Sequence, residues 1–157
     1  QQIVQVEQTI EEALALLNSP LRKVELHTDL QKTPSLNVSS GELVQIWVNL
    51  IKNAIESMLQ STNTPTLHVA CKQLADKIEV KIQDNGSGIP KAVQAKIFEP
   101  HFSTKNDGPV VGLGLGLAIV SRLVESYQGR IDVKSQPGKT VFKVNFPIEM
   151  NIQTPLP

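Results

Sequence analysis

The chain has 157 residues, with 15 basic and 15 acidic side chains and an apolar content of 40%. This length suits one domain with a sizeable core, and the balanced charge argues against a nucleic-acid binder that relies on general phosphate attraction. The single cysteine, Cys71, excludes an internal disulfide and a cysteine-rich metal cluster. No apolar run approaches the roughly 20 residues of a membrane helix. We expect a soluble, intracellular α/β or α+β domain, and a start at Gln rather than Met predicts a fragment or a processed form.

The first part of the chain predicts a helix, a strand and a short extended piece. Thr9 and Glu12 match a capping box ahead of a helical apolar period. Residues 1–8 show no clear pattern, and we interpret them as the end of an upstream helix or a linker. Alternation over 23–30 predicts a half-buried strand, and a loop with a short extended piece at 36–38 follows.

A second capping box, Ser39 with Glu42, opens the most regular helix of the sequence. Apolar residues recur at helical spacing over 43–58, which predicts one fully buried face. Asn49 and Asn53 lie four residues apart beside that face, so their side chains share one flank. They are either an ordinary polar face or a pair of amide oxygens for a magnesium–phosphate group, since Mg²⁺ takes few protein ligands beside phosphate and water.

A glycine-containing turn follows two predicted strands, 66–71 and 77–83. Its sequence is Asp-Asn-Gly-Ser-Gly-Ile-Pro, beginning at Asp84. The pattern is either a common tight turn or a place where a flat ring approaches the backbone. In the second case, Asp84 would accept a hydrogen bond from an exocyclic amine.

The remaining sequence predicts a further helix and two final strands. Helical turns are expected at 92–97 and a mobile loop at 98–111. Gly112-Leu-Gly-Leu-Gly then leads into a helix that Gly129 ends. Glycine-rich helix starts suit anions, although this pattern matches neither a Walker A nor a Rossmann motif.

The predicted strands at the end of the chain, 130–135 and 140–148, complete the fold. We predict a two-layer α/β sandwich, a mixed sheet of about five strands with its helices on one face. The domain is expected to span 9–148, with a C-terminal tail at 149–157.

Four motifs, in this order, resemble the catalytic ATP-binding domain of the two-component sensor histidine kinases. That domain belongs to the ATPase superfamily shared with gyrase, the ninety-kilodalton heat-shock chaperones and the mismatch-repair ATPases. The four motifs are the N box at 49–56, the first glycine box at 84–90, the F box at 98–105 and the second glycine box at 112–117. Residues 138–140 also resemble the family's terminal Gly-x-Thr element. The resemblance covers Thr9 to Pro147. It implies a Bergerat-type ATP-binding fold with ATP and Mg²⁺ as its cofactors.

The resemblance also implies a role for each matching residue. Asn53 would hold Mg²⁺ through its amide oxygen, and Asn49 and Lys105 would take the catalytic positions near the γ-phosphate. Asp84 would bind the adenine amine, with Ala54 and Phe142 as apolar neighbours. A lid over about 97–111 would carry Lys105. The implied nucleotide-binding residues are Asn49, Asn53, Asp84, Gly86, Gly88, Ile89, Lys105, Gly112, Gly114, Leu115, Gly116 and Thr140.

Two positions depart from the family pattern. Glu56 stands where many members have a basic residue that reaches phosphate, which leaves Lys52 or Lys105 to supply the charge. His101 stands where related F boxes often have Phe, and we expect it to pack or to lie on the lid surface.

The family's phosphoacceptor is a histidine on a separate helical dimerisation domain. The three histidines of this chain, His27, His68 and His101, lack that acidic helical context. The resemblance therefore implies an ATP-binding half without its acceptor. It also implies a downstream response regulator, a homodimeric parent, a cytoplasmic location with inner-membrane anchoring of the parent as an option, and no nucleic-acid or membrane contact by the fragment.

Other functions were weighed against the kinase. A self-sufficient ATPase would need a glutamate base where Asn49 stands, and an amide cannot take a proton. An anti-sigma serine kinase usually lacks the F box, so 98–105 argues against that class. A regulatory nucleotide-binding module without phosphotransfer stays open.

Overall fold

The computed structural model describes residues 2–100 and 111–148, and for 111–115 it describes the backbone alone. The strands are β1 (Gln2–Val4), β2 (Glu25–Leu30), β3 (Leu36–Val38), β4 (Thr66–Leu74), β5 (Lys77–Asp84), β6 (Arg130–Gln136) and β7 (Lys139–Pro147). The helices are α1 (Val6–Leu16), α2 (Ser40–Ser61), α3 (Lys91–Gln94) and α4 (Val111–Ser126), and a 3₁₀ turn covers Pro20–Lys23. The predicted C-terminal tail lies outside the described residues.

The main sheet has five strands in the order β2-β4-β5-β7-β6. β2 runs parallel to β4, and the other neighbouring pairs are antiparallel. Alternate side chains of β4, β5 and β7 are buried beneath the helices, whereas their neighbours face away. The predicted mixed five-stranded sheet with helices on one face is therefore confirmed. β1 and β3 add a separate two-stranded sheet.

The core is organised around α2. All eight apolar positions that the helical period predicts to be buried are buried. Trp47 packs edge-on against Phe146 of β7, with ring centroids 6.3 Å apart. Its indole N–H donates a 2.8 Å hydrogen bond to the Thr9 hydroxyl of α1, so this buried polar group has a partner.

The beginning of the chain differs from the sequence prediction. α1 begins at Val6, with Gln5 as its N-cap, so the capping box predicted at Thr9 is wrong. The Thr9 hydroxyl instead donates to the Val6 carbonyl at 2.6 Å and accepts from Trp47, because it points into the core. Residues that showed no clear pattern form β1 and the first turn of α1, where Val4 and Val6 are buried.

The predicted half-buried strand β2 is exposed over most of its length. Even Leu26, on its apolar side, is 37% exposed. β2 is an edge strand with β4 as its sheet neighbour, so the covered centre of the sheet lies beyond it. Alternation predicted the strand but not which strand the helices cover.

Of the two hydrogen bonds in the capping box predicted at the start of α2, one is formed. The Ser39 hydroxyl accepts the Glu42 N–H at 3.3 Å. The Ser39 N–H donates not to Glu42 but to the Tyr127 hydroxyl at 3.1 Å, and that hydroxyl donates to the Glu42 carboxylate. The beginning of α2 is thus joined to the residue that follows α4.

Both ends of α4 differ from the prediction. The helix begins at Val111, so the second glycine box lies inside its first turns rather than ahead of it. At the other end, Gln128 takes the left-handed conformation, at φ +58°, that was expected of Gly129. Gly129 has another role: an added Cβ would lie 2.6 Å from the Asn145 carbonyl oxygen of β7.

Candidate functional site

The centre of the site is Asp84, the last residue of β5. Its register partner on β7 is Thr140, and both residues are 3% exposed. One Asp84 carboxylate oxygen accepts the Gly86 N–H at 2.8 Å. Burial raises the pKa of Asp84 to about 6, and the Gly86 hydrogen bond offsets part of that rise. The Asp84 carboxyl group therefore titrates close to neutral pH.

The two glycines after Asp84 are required by close backbone approaches. A Cβ on Gly86 would lie 2.2 Å from the Ser57 hydroxyl oxygen and 2.9 Å from the Ser57 backbone carbon in α2. Gly88 has φ +87°, and a Cβ there would lie 2.6 Å from the Gln136 carbonyl oxygen. Neither position has room for a side chain, so both glycines are required for the loop to pack against α2 and the β6–β7 hairpin.

Hydrogen bonds hold the Asp84–Pro90 loop against the hairpin of β6 and β7. The Ile89 N–H donates to the Ser135 hydroxyl at 2.7 Å, and that hydroxyl lies 2.7 Å from the Thr140 hydroxyl. The Gly138 N–H donates to the Gly86 carbonyl at 3.0 Å. The structure thus brings together the first glycine box and the terminal Gly-x-Thr element, which are about fifty residues apart in sequence.

Two residues of this network were missed from the sequence. The Gln94 amide donates to the Ile89 carbonyl at 2.8 Å and to the Ser135 carbonyl at 3.2 Å. Ser135 interrupts the apolar side of β6, after Ile131 and Val133, and is the register partner of Thr140. That interruption was the signal for Ser135 that the sequence offered. Two hydroxyls on the helix-facing side of a sheet require hydrogen-bond partners there.

The second wall of the site is the asparagine flank of α2. The Asn49 amide donates to the Gly116 carbonyl at 3.4 Å, which joins the N box to the second glycine box. Asn53 is half-buried and makes no hydrogen bond to any residue that the structure describes. Ala54 of α2 and Phe142 of β7 are buried, and the Phe98 ring packs edge-on against Phe142.

The second glycine box lies at the N-terminal end of α4. The first four N–H groups of a helix have no partner within it. Gly112 and Gly114 belong to that first turn, whereas Leu115 and Gly116 lie one step further in. Residues 101–110 of the predicted lid, which include His101 and Lys105, lie outside the described residues.

The described histidines lie away from this site. His27 and His68 are register partners on β2 and β4, and their rings stack at 4.7 Å. Both are exposed. Within 2–100 and 111–148, no group of three or more His, Cys, Asp or Glu could hold a metal ion. No helix in those ranges is long and apolar enough to cross a membrane.

A mixed sheet covered on one face, a buried acidic residue followed by close-packed glycines, and a glycine-rich helix start define a nucleotide-binding α/β domain. The chain belongs to the family described as "Histidine kinase-, DNA gyrase B-, and HSP90-like ATPase", whose model matches residues 39–150. It is an ATP-binding catalytic domain of the histidine kinase type, as the four motifs predicted.

Similar proteins support this family assignment. The chain is 38% identical to Sporulation kinase A of Bacillus subtilis over 71% of its own length and 18% of that relative. It is 35% identical to the Sensory histidine kinase/phosphatase NtrB of Azospirillum brasilense, over 73% of the chain and 31% of the relative. The chain therefore spans less than a third of either relative. The solved mycobacterial sensor histidine kinase MprB shares the fold, with a TM-score of 0.81 at 24% identity over 93% of this chain and 97% of that one.

Proposed function

We propose that this domain binds Mg·ATP with the adenine on Asp84 and supplies the γ-phosphoryl group to a histidine on a separate dimerisation domain. The observation that carries the proposal is the buried Asp84 carboxylate at the end of a central strand, walled by glycine backbone. A buried carboxylate needs a donor to offset its lost hydration. The exocyclic amine of adenine is such a donor, and guanine has a carbonyl oxygen in its place.

The surroundings of Asp84 suit a flat, partly apolar ring. Gly86 and Gly88 present backbone without side chains, and both approaches are too close for any other residue. Ala54 and Phe142 supply buried apolar surface, and Ser135 and Thr140 supply hydroxyls for a ring nitrogen. Ile89 belongs to the same wall, because its N–H is fixed by Ser135.

The phosphate end is assigned to α2 and to the start of α4. Asn53 is the proposed Mg²⁺ ligand, since its amide oxygen has no partner among the described residues and hard cations prefer such oxygens. Bound Mg²⁺ would neutralise phosphate charge and fix the orientation of the phosphates. Asn49 is held beside the glycine box by Gly116. The N–H groups at the start of α4 and the ammonium of Lys105 are proposed to face the phosphates.

The proposed transfer moves the γ-phosphoryl group to an acceptor outside this chain. An imidazole nitrogen forms a bond to the γ-phosphorus while the bond to the bridging oxygen breaks, and ADP leaves. His27 and His68 lie on the strands β2 and β4 and not on an acidic helix, so neither has the context expected of the acceptor. A response regulator, a homodimeric parent and an anchor in the inner membrane belong to the same proposal.

The adenine assignment is tested by Asp84→Asn. We expect the affinity for ATP to fall by roughly 10- to 100-fold, as for the loss of a hydrogen bond to a charged group, while GTP binding changes little. Calorimetric titration of both nucleotides measures this. Asp76→Asn, in the exposed turn between β4 and β5, is the matched control. An equal loss for ATP and GTP would assign Asp84 a structural role instead.

The metal assignment is tested by Asn53→Ala. We expect nucleotide affinity to lose its dependence on Mg²⁺, while the helix tolerates alanine well. Gln45→Ala removes another amide from the exposed side of α2 and should leave that dependence intact. If Asn53→Ala keeps the full response to Mg²⁺, another group holds the metal.

The transfer itself is tested with γ-labelled ATP. The chain alone should bind nucleotide without labelling itself, and adding a separate dimerisation domain from the parent protein should give labelled histidine on that domain. Stable phosphohistidine on this chain alone would refute the division of roles. Binding without transfer to the added domain would favour a regulatory nucleotide-binding module.

A further inference from the structure

A shallow groove of about 350 Å³ lies on the sheet face that points away from the helices. Strands β5, β6 and β7 form its floor. Its lining consists of four lysines, two glutamines, a serine and one apolar residue: Lys81, Lys134, Lys139, Lys143, Gln83, Gln136, Ser135 and Val141. The volume falls in the lower part of the range of small-molecule sites.

The groove lies on the other side of the sheet from the nucleotide site, although the same strands form both. Ser135 is common to the two, and its hydroxyl is turned toward Ile89 and Thr140 on the nucleotide side. Successive side chains of a strand point to opposite faces. Lys81 and Gln83 therefore point away from the side on which Asp84 is buried, and Val141 and Lys143 point away from Thr140. A ligand in the groove would lie across the sheet from the adenine position.

The lining of the groove has four lysines and no acidic residue, so it carries an excess of positive charge, although Glu79 and Asp132 lie beside it on the same sheet face. Lys81 and Lys143 are direct register partners on antiparallel strands, an arrangement in which like charges destabilise the pair. Asp132, the partner of Lys143 on its other side, forms its ion pair with Arg130 at 3.3 Å. Among the residues that the structure describes, no ion pair involves a groove lysine.

We propose that this groove is a binding site for a compact anion that carries two or more phosphate or carboxylate groups. Ammonium groups arrive from three strands around one floor, so a small multivalent anion can meet several at once. The amides of Gln83 and Gln136 add neutral donors. A bound anion would reduce the repulsion between Lys81 and Lys143. The fold alone does not explain why two lysines lie opposite each other here, and anion binding would explain it.

The proposal is tested with two probes, inorganic tripolyphosphate and citrate, titrated into the whole chain without Mg²⁺ and followed by calorimetry and by backbone amide shifts. The groove variant Lys81→Gln, Lys134→Gln, Lys143→Gln replaces three lysines by shorter side chains that are polar but uncharged. The control variant Lys23→Gln, Lys72→Gln, Lys96→Gln removes the same charge from exposed lysines outside the groove.

We expect saturable binding to the wild type and to the control, with shifts centred on β5, β6 and β7 and an affinity at least tenfold weaker in the groove variant. Affinity should also fall steeply with added salt, because exposed charges are screened. Binding of tripolyphosphate alone would assign a phosphate ligand, and binding of both probes would assign multivalent anions in general. Equal weakening in both variants, or no saturable binding, would overturn the proposal. ATP affinity should be unchanged in the groove variant, so failure here leaves the nucleotide site untouched.

Discussion

Asp84 and Thr140 lie opposite each other on β5 and β7, and each residue is 3% exposed. The Asp84 carboxylate is thus enclosed beside a hydroxyl and one backbone N–H, neither of which neutralises its charge. Loss of hydration outweighs the Gly86 hydrogen bond, so the pKa rises from 3.8 to about 6. The buried carboxylate that suits a ligand amine therefore destabilises the ligand-free domain.

The first prediction is that Asp84→Asn stabilises the nucleotide-free domain at neutral pH. The pKa of Asp84 is higher in the folded state than its ordinary value, so ionisation destabilises the fold progressively as pH rises from about 4 to 6. The elevation corresponds to roughly 2–3 kcal/mol. Urea denaturation should show Asn ahead of Asp by about 2 kcal/mol near pH 7, with the advantage shrinking toward pH 5. A constant difference between these pH values would contradict the burial argument.

The second prediction concerns the pH dependence of nucleotide choice. Below about pH 6 the Asp84 carboxyl carries a proton, and its acceptor capacity for the adenine amine falls. The ratio of ATP to GTP affinity should therefore decline as pH is lowered from about 7 to 5. Phosphate protonation affects both nucleotides alike and cancels in the ratio. Asp84→Asn should show a flat ratio, and a wild-type ratio that is equally flat would remove Asp84 from adenine recognition.

The sequence predicted what repeats along one element and missed what depends on distant partners. α2 follows from its period alone, since eight apolar positions on one face have to be buried together. The helix start predicted at Thr9 was wrong because a capping-box pattern also occurs inside a helix. There, the Thr9 hydroxyl forms hydrogen bonds with Val6 and Trp47. Ser135 and Gln94 join the site through contacts about forty residues apart, which no local pattern records.

Electrostatic properties were equally hidden from the sequence. Asp84 was found from a turn motif, but its raised pKa depends on how deeply β7 and α2 bury it. The alternation of β2 was read correctly as a strand, yet its exposure followed from an edge position that only the topology gives. Motif order identified the family, whereas burial had to be observed.

The third prediction separates steric contact from backbone strain at two glycines. Gly88 and Gly138 have nearly the same φ, at +87° and +84°. A Cβ on Gly88 would collide with the Gln136 carbonyl, whereas a Cβ on Gly138 meets nothing within 4 Å. Gly138→Ala should therefore destabilise the domain by about 1 kcal/mol through conformation alone. Gly88→Ala should destabilise it by about 2–4 kcal/mol and also weaken ATP binding.

Chemical denaturation and ATP titration of both alanine variants check this pair. Gly41→Ala serves as the control, since Gly41 lies in the first turn of α2, where an added Cβ would make only ordinary contact with the Ser39 hydroxyl oxygen at 3.9 Å and should be tolerated. Equal effects at Gly88 and Gly138 would show that the loop can move away from Gln136.

The fourth prediction concerns the buried bond between α1 and α2. Thr9→Val keeps the shape of the side chain but removes the acceptor of the Trp47 indole N–H, which is fully buried. Leaving that donor without a partner should destabilise the domain by about 1–3 kcal/mol. Thr9→Ser keeps the hydroxyl and should lose less. Thermal or urea unfolding compares the two, and a loss in Thr9→Val no larger than that in Thr9→Ser would show that the Trp47 hydrogen bond contributes little to stability.

The fifth prediction concerns the Tyr127 hydroxyl, which joins the residue after α4 to the N-terminus of α2. Burial, and then the hydrogen bond to Glu42, raise the pKa of Tyr127, so the hydroxyl stays a donor to that carboxylate across the physiological range. Tyr127→Phe removes this donor together with the acceptor of the Ser39 N–H, and should destabilise the domain by about 1–2 kcal/mol.

Glu42→Gln weakens one half of the same arrangement. Because both changes act on one network, the double variant should lose less than the two single losses added together. Urea unfolding of the four proteins gives the coupling, with Glu125→Gln, on the exposed side of α4, as a charge control. Strict additivity would show that the tyrosine and the glutamate stabilise the two helix ends independently.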